Sequence, residues 1–527
     1  MMRRAAEGSA HRSGGRPAVM AAVAAMIALA SGCASVGPEF HKPTPAAPAD
    51  WATWHGGDPA LTLAEAPEPS PLPADPWAAF SDPELTRLLT RAREANPDLK
   101  AAMLRWAEAR AQEATVAGQG GPQVNALADV SRRRDSEYGA ATRIVDDIGG
   151  VNSNHIRQAL GEPYSLYRPG FDASWELDLW GRVRRSVEVA QANSAEYAAL
   201  LRQAQLDVRA DVARNYFALR ASQRQLELVV SEIALAEEEE QLLSAQYRGG
   251  LSDESQAIRQ RQQVADLRAL VPDLRSQVAQ GLNQITRLLG LPPGSLNGEL
   301  MTSVTKDPIP ALPDLRRGLP SELAHRRPDI ASAEAHLHSA TAGIGVAVAD
   351  LYPRITLGAS FGLESVGTGQ LGSWGARSWS LGPSLSVPVF DHGQRSATVT
   401  LRRLQQQEAA ISYQQTVLGA WHDVDNAASG YAAARQHVGE LANKMEEYER
   451  EGVLADARSA NGSTSDVPRL EAHAAASRAK REWLMGNSQM EIAFVALLKA
   501  LGDEDAPPAA DPAGVVQRQS RLPGGAR

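Results

Sequence analysis

The chain is poor in cysteine and in aromatic residues. Cys33 is the single cysteine among 527 residues, so no disulfide can form within the chain. Aromatic residues make up only 5%, and the abundance of Ala, Arg, Glu and Gln is typical of long helices rather than of a large compact core. Basic residues are in deficit. The resulting net charge of −9 excludes the electrostatic surface of a nucleic-acid-binding protein.

Long apolar runs are also missing, apart from residues 18–30. This run is too short to cross a bilayer as a helix. It follows several arginines and is followed by small residues and Cys33, and this order resembles a bacterial lipoprotein signal. We predict that residues 1–32 form the signal peptide, that Cys33 carries lipid and that the Pro/Ala-rich stretch 33–76 is an extended tether. An ordinary secretory signal that happens to contain a cysteine is the alternative.

Glycine and proline are absent between residues 183 and 247. An uninterrupted helix of that length extends roughly 100 Å. A second proline-free stretch, 395–456, is similar but contains four glycines. Apolar and small residues fall on two neighbouring seams of the first stretch, so the helix is predicted to pack against a neighbour on each side. A plain soluble coiled coil is the alternative that the helices alone leave open.

The chain also contains an internal repeat. Asn96-Pro97-Asp98 is answered by Arg327-Pro328-Asp329 at an offset of 231 residues, and later glycines recur at an offset of 212. Each copy is predicted to contain a helix, two strands joined by a hairpin loop, a very long helix, a tight turn and a returning helix. The predicted boundaries are 77–300 for the first repeat, 301–327 for a linker, 328–503 for the second repeat and 504–527 for a disordered tail.

Four segments are predicted to be strands: 123–131, 171–180, 355–364 and 379–389. From 171 to 180, apolar residues alternate with Asp, Ser and Glu, which predicts a strand with one apolar and one polar face. About ten residues are enough for a tilted strand to cross a bilayer. Because four strands cannot close a membrane barrel, other copies of the chain must complete it. A half-buried strand of a soluble sandwich is the alternative for 171–180 taken alone.

Carboxylates suit the water-filled lumen of such a barrel. The predicted pore-lining residues are Asp172, Glu176, Asp178 and Glu364.

Two tight turns join the antiparallel helices, at 247–255 and 458–466. Gly250 and Gly462 supply the backbone freedom that an abrupt helix end requires. Ser252 and Ser465 are predicted to cap the helices that follow.

Several motifs together identify a family resemblance. They are Cys33, Val36-Gly-Pro-Glu-Phe40, the stretch Leu-Pro-Ser-Glu-Leu-Ala-His-Arg-Arg-Pro-Asp-Ile at 319–330, and Ser-Val-Pro-Val-Phe-Asp-His-Gly at 386–393. With the duplicated plan, they make the chain similar to a TolC-type outer membrane factor. Within that family it resembles the NodT/OprM-like lipoprotein branch, which serves resistance-nodulation-division (RND) efflux systems.

The resemblance implies an α+β membrane protein. Three chains would share a twelve-stranded transmembrane β-barrel, four strands per chain, continued by a long α-helical barrel in the periplasm. It further implies a homotrimer in the outer membrane of a Gram-negative bacterium. The partners it implies are a periplasmic adaptor (membrane fusion) protein and an inner-membrane RND-type pump.

The resemblance also implies roles for residues at the helix tips. The adaptor would contact Arg248, Gly250, Ser252, Gly462 and Ser465. A periplasmic gate would be formed by Leu454 and Asp456. The second tip has Ser459-Ala460 where the family usually has Tyr-Arg, so its contact with the adaptor departs from the family pattern.

Other functional classes find little support in the sequence. His336 and His338 are two residues apart on a predicted helix and do not share a face, so we expect no metal site there. We expect no cofactor and no catalytic activity, since no nucleophile and base can be paired by spacing. A conduit for type I protein secretion shares the same architecture and remains the main alternative; a lipid-anchored coiled-coil scaffold would have no use for alternating strands.

Overall fold

The structure, a computed structural model, describes residues 35–44, 54–62, 76–139, 153–301 and 326–502. The helices of the first repeat are α1 (Pro83–Ala95), α2 (Pro97–Ala117), α3 (Ser153–Leu160), α4 (Arg182–Arg248), α5 (Glu254–Leu288) and α6 (Asn297–Leu300). Those of the second are α7 (Pro328–Ala349), α8 (Gln394–Ala460) and α9 (Asp466–Leu501). The strands are β1 (Gln123–Arg133), β2 (Tyr164–Glu176), β3 (Arg354–Leu363) and β4 (Arg377–Ser386).

The chain divides into two compact units. The first comprises Met1–His41, Arg110–Asn193 and Leu337–Glu408 and contains the four strands. They form one antiparallel sheet in the order β1-β2-β3-β4. Strands β1 and β4 are its two edges.

Strand β2 differs most from its prediction. It begins seven residues earlier than the predicted 171–180 and ends at Glu176, so Leu177 to Trp180 are not strand. The first half of β2 was not predicted because Pro169 and Gly170 are residues typical of a loop. Gly170 is needed there, since a Cβ atom would lie 2.9 Å from the carbonyl oxygen of Phe361 on β3. The connection from β1 to β2 also contains a helix, α3, that the sequence did not predict.

The second unit comprises Lys42–Ala109, Ser194–His336 and Ala409–Arg527. Its core includes an aromatic cluster drawn from several helices. Phe80 packs 4.8 Å from Phe217 of α4 and 5.3 Å from Phe494 of α9, measured between ring centroids, and Tyr431 of α8 lies 5.3 Å from Phe494. These rings bury a large apolar area where few other aromatic residues are available.

The two repeats match closely in their helices. Helices α4 and α8 have 67 residues each, and α5 and α9 have 35 and 36. No helix in the described ranges is both long and apolar enough to cross a membrane.

One buried contact recurs in both repeats with different chemistry. The Asn96 side chain donates to the carbonyl oxygen of Leu288 at 2.8 Å, and Arg327 donates to that of Ala500 at 2.9 Å. Each side chain satisfies a carbonyl at the end of a returning helix, where no intrahelical donor remains. The second repeat therefore keeps the position of this contact and changes only the donor.

Candidate functional site

The sheet has one polar face. The cross-strand register places Asn125, Asp172, Ser360 and Ser380 side by side on it. Asn125 donates to the Asp172 carboxylate at 3.2 Å, and the hydroxyls of Ser360 and Ser380 are 2.8 Å apart. Since paired residues share a face, the polar alternation predicted for single strands continues across all four.

The opposite face is apolar and exposed. Ala126, Phe171, Phe361 and Trp379 occupy one cross-strand row on it. Exposure of Phe171, Phe361 and Trp379 is 57%, 54% and 75%. Exposing a continuous apolar surface of this kind to water is unfavourable, so another apolar surface is expected to cover it.

The four predicted pore-lining carboxylates do not form one cluster. Asp172 and Glu176 lie on the polar face of β2, as predicted. Glu364 directly follows β3, at the end of the sheet opposite to Glu176. The prediction that Asp178 belongs to the strand is wrong. Its carboxylate accepts hydrogen bonds from the backbone N–H groups of Val183 (3.0 Å) and Arg184 (2.8 Å), where it satisfies the first free donors of α4.

The junction between β2 and α4 is rich in paired charges. Arg182 donates twice to the Glu176 carboxylate, with both contacts at 2.8 Å, and Arg354 of β3 approaches the same carboxylate at 3.8 Å. A cavity of about 300 Å³ opens here, lined by these groups and by Asp350 and Arg395 among others. The bidentate pair with Arg182 therefore offsets the negative charge of Glu176, one of the residues predicted to line a pore.

The two helix tips have the same backbone design. Gly250 and Gly462 both have a φ of 67°, in the left-handed region. In the first tip the N–H of Leu251 donates to the carbonyl of Gln246 at 2.8 Å, and in the second Ser463 N–H donates to Arg458 at 3.0 Å. These are the hydrogen bonds of a glycine-terminated helix end.

The predicted serine caps need correction at both tips. Asp253, not Ser252, is the cap of α5, since its carboxylate accepts from Ser255 N–H at 3.2 Å. Ser465 occupies the cap position of α9 but makes no side-chain capping bond. Of the other predicted contact residues, Arg248 is exposed and is the last residue of α4.

The predicted gate residues lie near the end of α8. Leu454 is exposed, with 51% of its surface accessible. Asp456 is not a lone solvated carboxylate, because His473 Nε2 of α9 lies 2.8 Å from its Oδ1 atom. This pair links the two arms of the second helical hairpin.

The segment after Cys33 is held against the first unit, whereas Cys33 itself lies outside the described residues. Val36 N–H donates to the carbonyl of Trp180 at 3.1 Å, and Phe40 stacks on His338 at 4.3 Å between centroids. Gly37 approaches Gly345 of α7 so closely that a Cβ atom would lie 2.5 Å from its Cα. Gly37 also has a φ of 91°, so glycine is required at position 37.

The pattern of a known protein family, described as outer membrane efflux protein, matches residues 88–291 and 319–503 of the chain. The chain belongs to the outer membrane efflux protein family. It is 29% identical over 490 residues to the outer membrane protein OprJ of Pseudomonas aeruginosa, covering 91% of this chain and 95% of OprJ. It is 25% identical over 408 residues to the probable outer membrane lipoprotein SilC of Salmonella typhimurium, covering 76% and 80% of the two chains.

A solved structure of the outer-membrane channel OprN has the same fold. The TM-score is 0.75 at 29% identity, with 89% of this chain and 99% of OprN covered. As a member of this efflux protein family, the chain is an outer-membrane channel protein. Its sheet forms part of a membrane β-barrel, and its long helices belong to the periplasmic α-helical barrel.

Besides Asp253, sequence reasoning missed two residues at these sites. Arg182 was not recognised as the partner of Glu176. The sequence does place this arginine six residues after Glu176, at the start of a predicted helix, and this spacing could have indicated the ion pair. His473 was not recognised as the partner of Asp456. An antiparallel hairpin brings residues near 470 beside Asp456, but the spacing alone does not show which face of α9 meets it.

Proposed function

We propose that this chain is the outer-membrane channel of a tripartite efflux system and conducts small molecules delivered by an inner-membrane pump. The observation that carries the proposal is the sheet, with one polar face, one exposed apolar face and an edge at β1 and at β4. In lipid, the apolar face is covered by acyl chains and the polar face lines water.

The edges argue for three chains. An unpaired strand edge in hydrocarbon costs several kcal/mol for each free backbone group, so β4 of one chain must pair with β1 of another. Two chains would supply about eight strands, a barrel whose interior is just filled by side chains. Three chains supply twelve strands and leave an aqueous opening. A homotrimer is therefore the smallest assembly that both closes and conducts.

Lipid on Cys33 fits the docking of the following residues. Residues 36–40 pack beside Trp180, shortly after the end of β2 at which the strands give way to helices. A lipid two residues before Ser35 is then held near that end of the sheet, where the periplasmic leaflet lies in the proposed orientation. The chain is thus anchored twice, by its barrel strands and by acyl chains.

The two tips are the proposed contacts for the periplasmic adaptor. Their matching backbone turns present Arg248, Gly250 and Ser252 in one repeat and Gly462 and Ser465 in the other. A photo-crosslinking residue at position 248 should capture the adaptor, whereas the same residue at exposed Glu227 of α4 should not. Equal capture at both positions would contradict a contact confined to the tips.

We place the gate at Leu454 and Asp456, with the Asp456–His473 pair holding α8 and α9 together. Removing either partner should loosen this link. In planar bilayers, Asp456→Ala and His473→Ala should both raise single-channel conductance. Glu446→Ala, which removes an exposed carboxylate from the same helix, is the control. Wild-type conductance in both pair variants would contradict the gate.

The mass of the detergent-extracted protein tests the channel itself. Native mass spectrometry should give a lipidated trimer, close to three times the mass of the processed chain. A monomer that stays in solution without detergent would refute both the shared barrel and the efflux function built on it.

A further inference from the structure

The apolar face of the sheet carries two positively charged residues and no acid. The register assigns nineteen further strand residues from 124 to 385 to this face, and they are uncharged. The two exceptions are Arg132 of β1 and Arg377 of β4. Arg132 shares a face with Val130 because the two are paired with Ser165 and Tyr167 of β2. Arg377 is paired with Leu363 and lies two residues before Trp379.

Both arginines lie at the same end of the sheet. Arg132 is the last residue but one of β1, and Arg377 is the first residue of β4. This is the end at which the hairpin connections join β1 to β2 and β3 to β4. An arginine on a lipid-facing surface is strongly unfavourable at the membrane midplane but close to neutral near the interface. Their position is therefore that of the lipid headgroups.

Neither arginine is neutralised within the described residues. Arg132 is exposed and has no hydrogen-bond or ion-pair partner there. Arg377 packs over the ring of Trp374 and donates from Nε to the Trp374 carbonyl at 2.8 Å, which leaves its two terminal nitrogens for another acceptor. By contrast, Arg168 on the polar face is paired with Asp129 at 2.9 Å.

The two residues belong to opposite edges of the sheet, so they meet only in an assembly. In the proposed barrel, β4 of one chain lies beside β1 of the next, and Arg377 and the neighbour's Arg132 flank the same chain boundary. This step rests on the proposed function.

We propose that Arg132 and Arg377 bind the phosphate groups of an anionic membrane lipid at each boundary between chains. Guanidinium groups bind phosphate oxygens through two parallel hydrogen bonds. The acyl chains of the same lipid lie against the apolar rows below, where Trp379 and Leu381 are exposed. Trp374, which is 81% exposed beside Arg377, adds the aromatic residue typical of a membrane interface.

The test is native mass spectrometry of the full-length protein in detergent with lipid A, which has phosphate groups, and with dephosphorylated lipid A. Wild type should retain lipid A and lose the dephosphorylated form. Because one basic residue near a membrane surface contributes about fivefold to binding, Arg132→Gln and Arg377→Gln should each weaken retention about fivefold, and the double variant more. Arg133→Gln is the matched control, since it removes the same charge one residue away, on the polar face.

Equal retention by wild type and the double variant would overturn the proposal. So would an equal loss in Arg133→Gln, because net charge would then explain the effect, or full displacement by millimolar inorganic phosphate, because the site would then hold the free anion. The same spectra report the oligomeric state. A trimer that keeps lipid A regardless of substitution refutes the lipid site but not the proposed channel. A monomer refutes the channel assembly itself.

Discussion

Replacing Glu491 by Gln should stabilise the protein at neutral and alkaline pH. Glu491 lies on α9 and is only 9% exposed. Burial raises the pKa of its carboxyl to about 7, against the attraction of Arg224 and a hydrogen bond with Asn487, while the charge of Asp82 raises it further. Ionising this group inside the fold is unfavourable, because no partner fully replaces the water it has lost.

The size of the effect follows from that pKa. The interval between the usual 4.5 and about 7 corresponds to roughly 3 kcal/mol of unfolding free energy per chain. Well below pH 4.5 the carboxyl is protonated in both folded and unfolded states, so wild type and Glu491→Gln should be equally stable. As the pH rises from 4.5 to 7 wild type loses stability, and above 7 the difference should remain at its full value.

Thermal unfolding in detergent at a series of pH values measures this difference. Glu491→Gln should melt several degrees above wild type at pH 8. At pH 4.5 the two proteins should melt at nearly the same temperature. Glu227→Gln, an exposed site on α4, controls for the loss of one negative charge and should show no such trend. A Glu491→Gln protein that is less stable than wild type at pH 8 would refute the reasoning, since the ionised carboxylate would then be a net stabilising group.

Three further substitutions test the helices. Gly250→Ala should lower the local stability of the first tip by about 1–2 kcal/mol, because a residue with a Cβ atom is strained at a φ of 67°. Gly249→Ala should change this stability little. Hydrogen exchange at the first tip measures both variants, and equal protection in the two would contradict the argument. Asn96→Ala should lower stability by about 2–3 kcal/mol in thermal unfolding because it removes two buried hydrogen bonds, and an Asn96→Ala protein as stable as wild type would contradict this. Burial raises the pKa of Glu239 to about 7, so Glu239→Gln should also stabilise the fold above pH 7, and a pH-independent effect would count against this.

Local periodicity was enough to predict most of the sheet. Strands β3 and β4 begin within two residues of their predicted starts, because their apolar and small polar residues alternate without interruption. Strand β1 has the least regular alternation, since Leu127 lies on the polar face. The first half of β2 could not be predicted, because continuous pairing with β1 over residues 164–174 overrides the local signals of Pro169 and Gly170.

The site residues required information that single-sequence patterns do not hold. That Glu364 lies at the opposite end of the sheet from Glu176 depends on the register of β2 against β3. That Asp178 caps a helix depends on where the strand ends, and a shift of four residues converts a lumen residue into a cap. Contacts between distant elements, such as Asp456 with His473, depend on how two helices rotate about their axes.

The two edges of the sheet have a genetic consequence. A chain that folds normally but carries a defective β4 edge would still enter assemblies with intact chains. In a cell that makes equal amounts of both, only about one in eight of the proposed trimers would contain three intact chains. Substitutions at an edge should therefore be dominant over the wild-type allele, whereas changes that stop the chain from folding at all should be recessive.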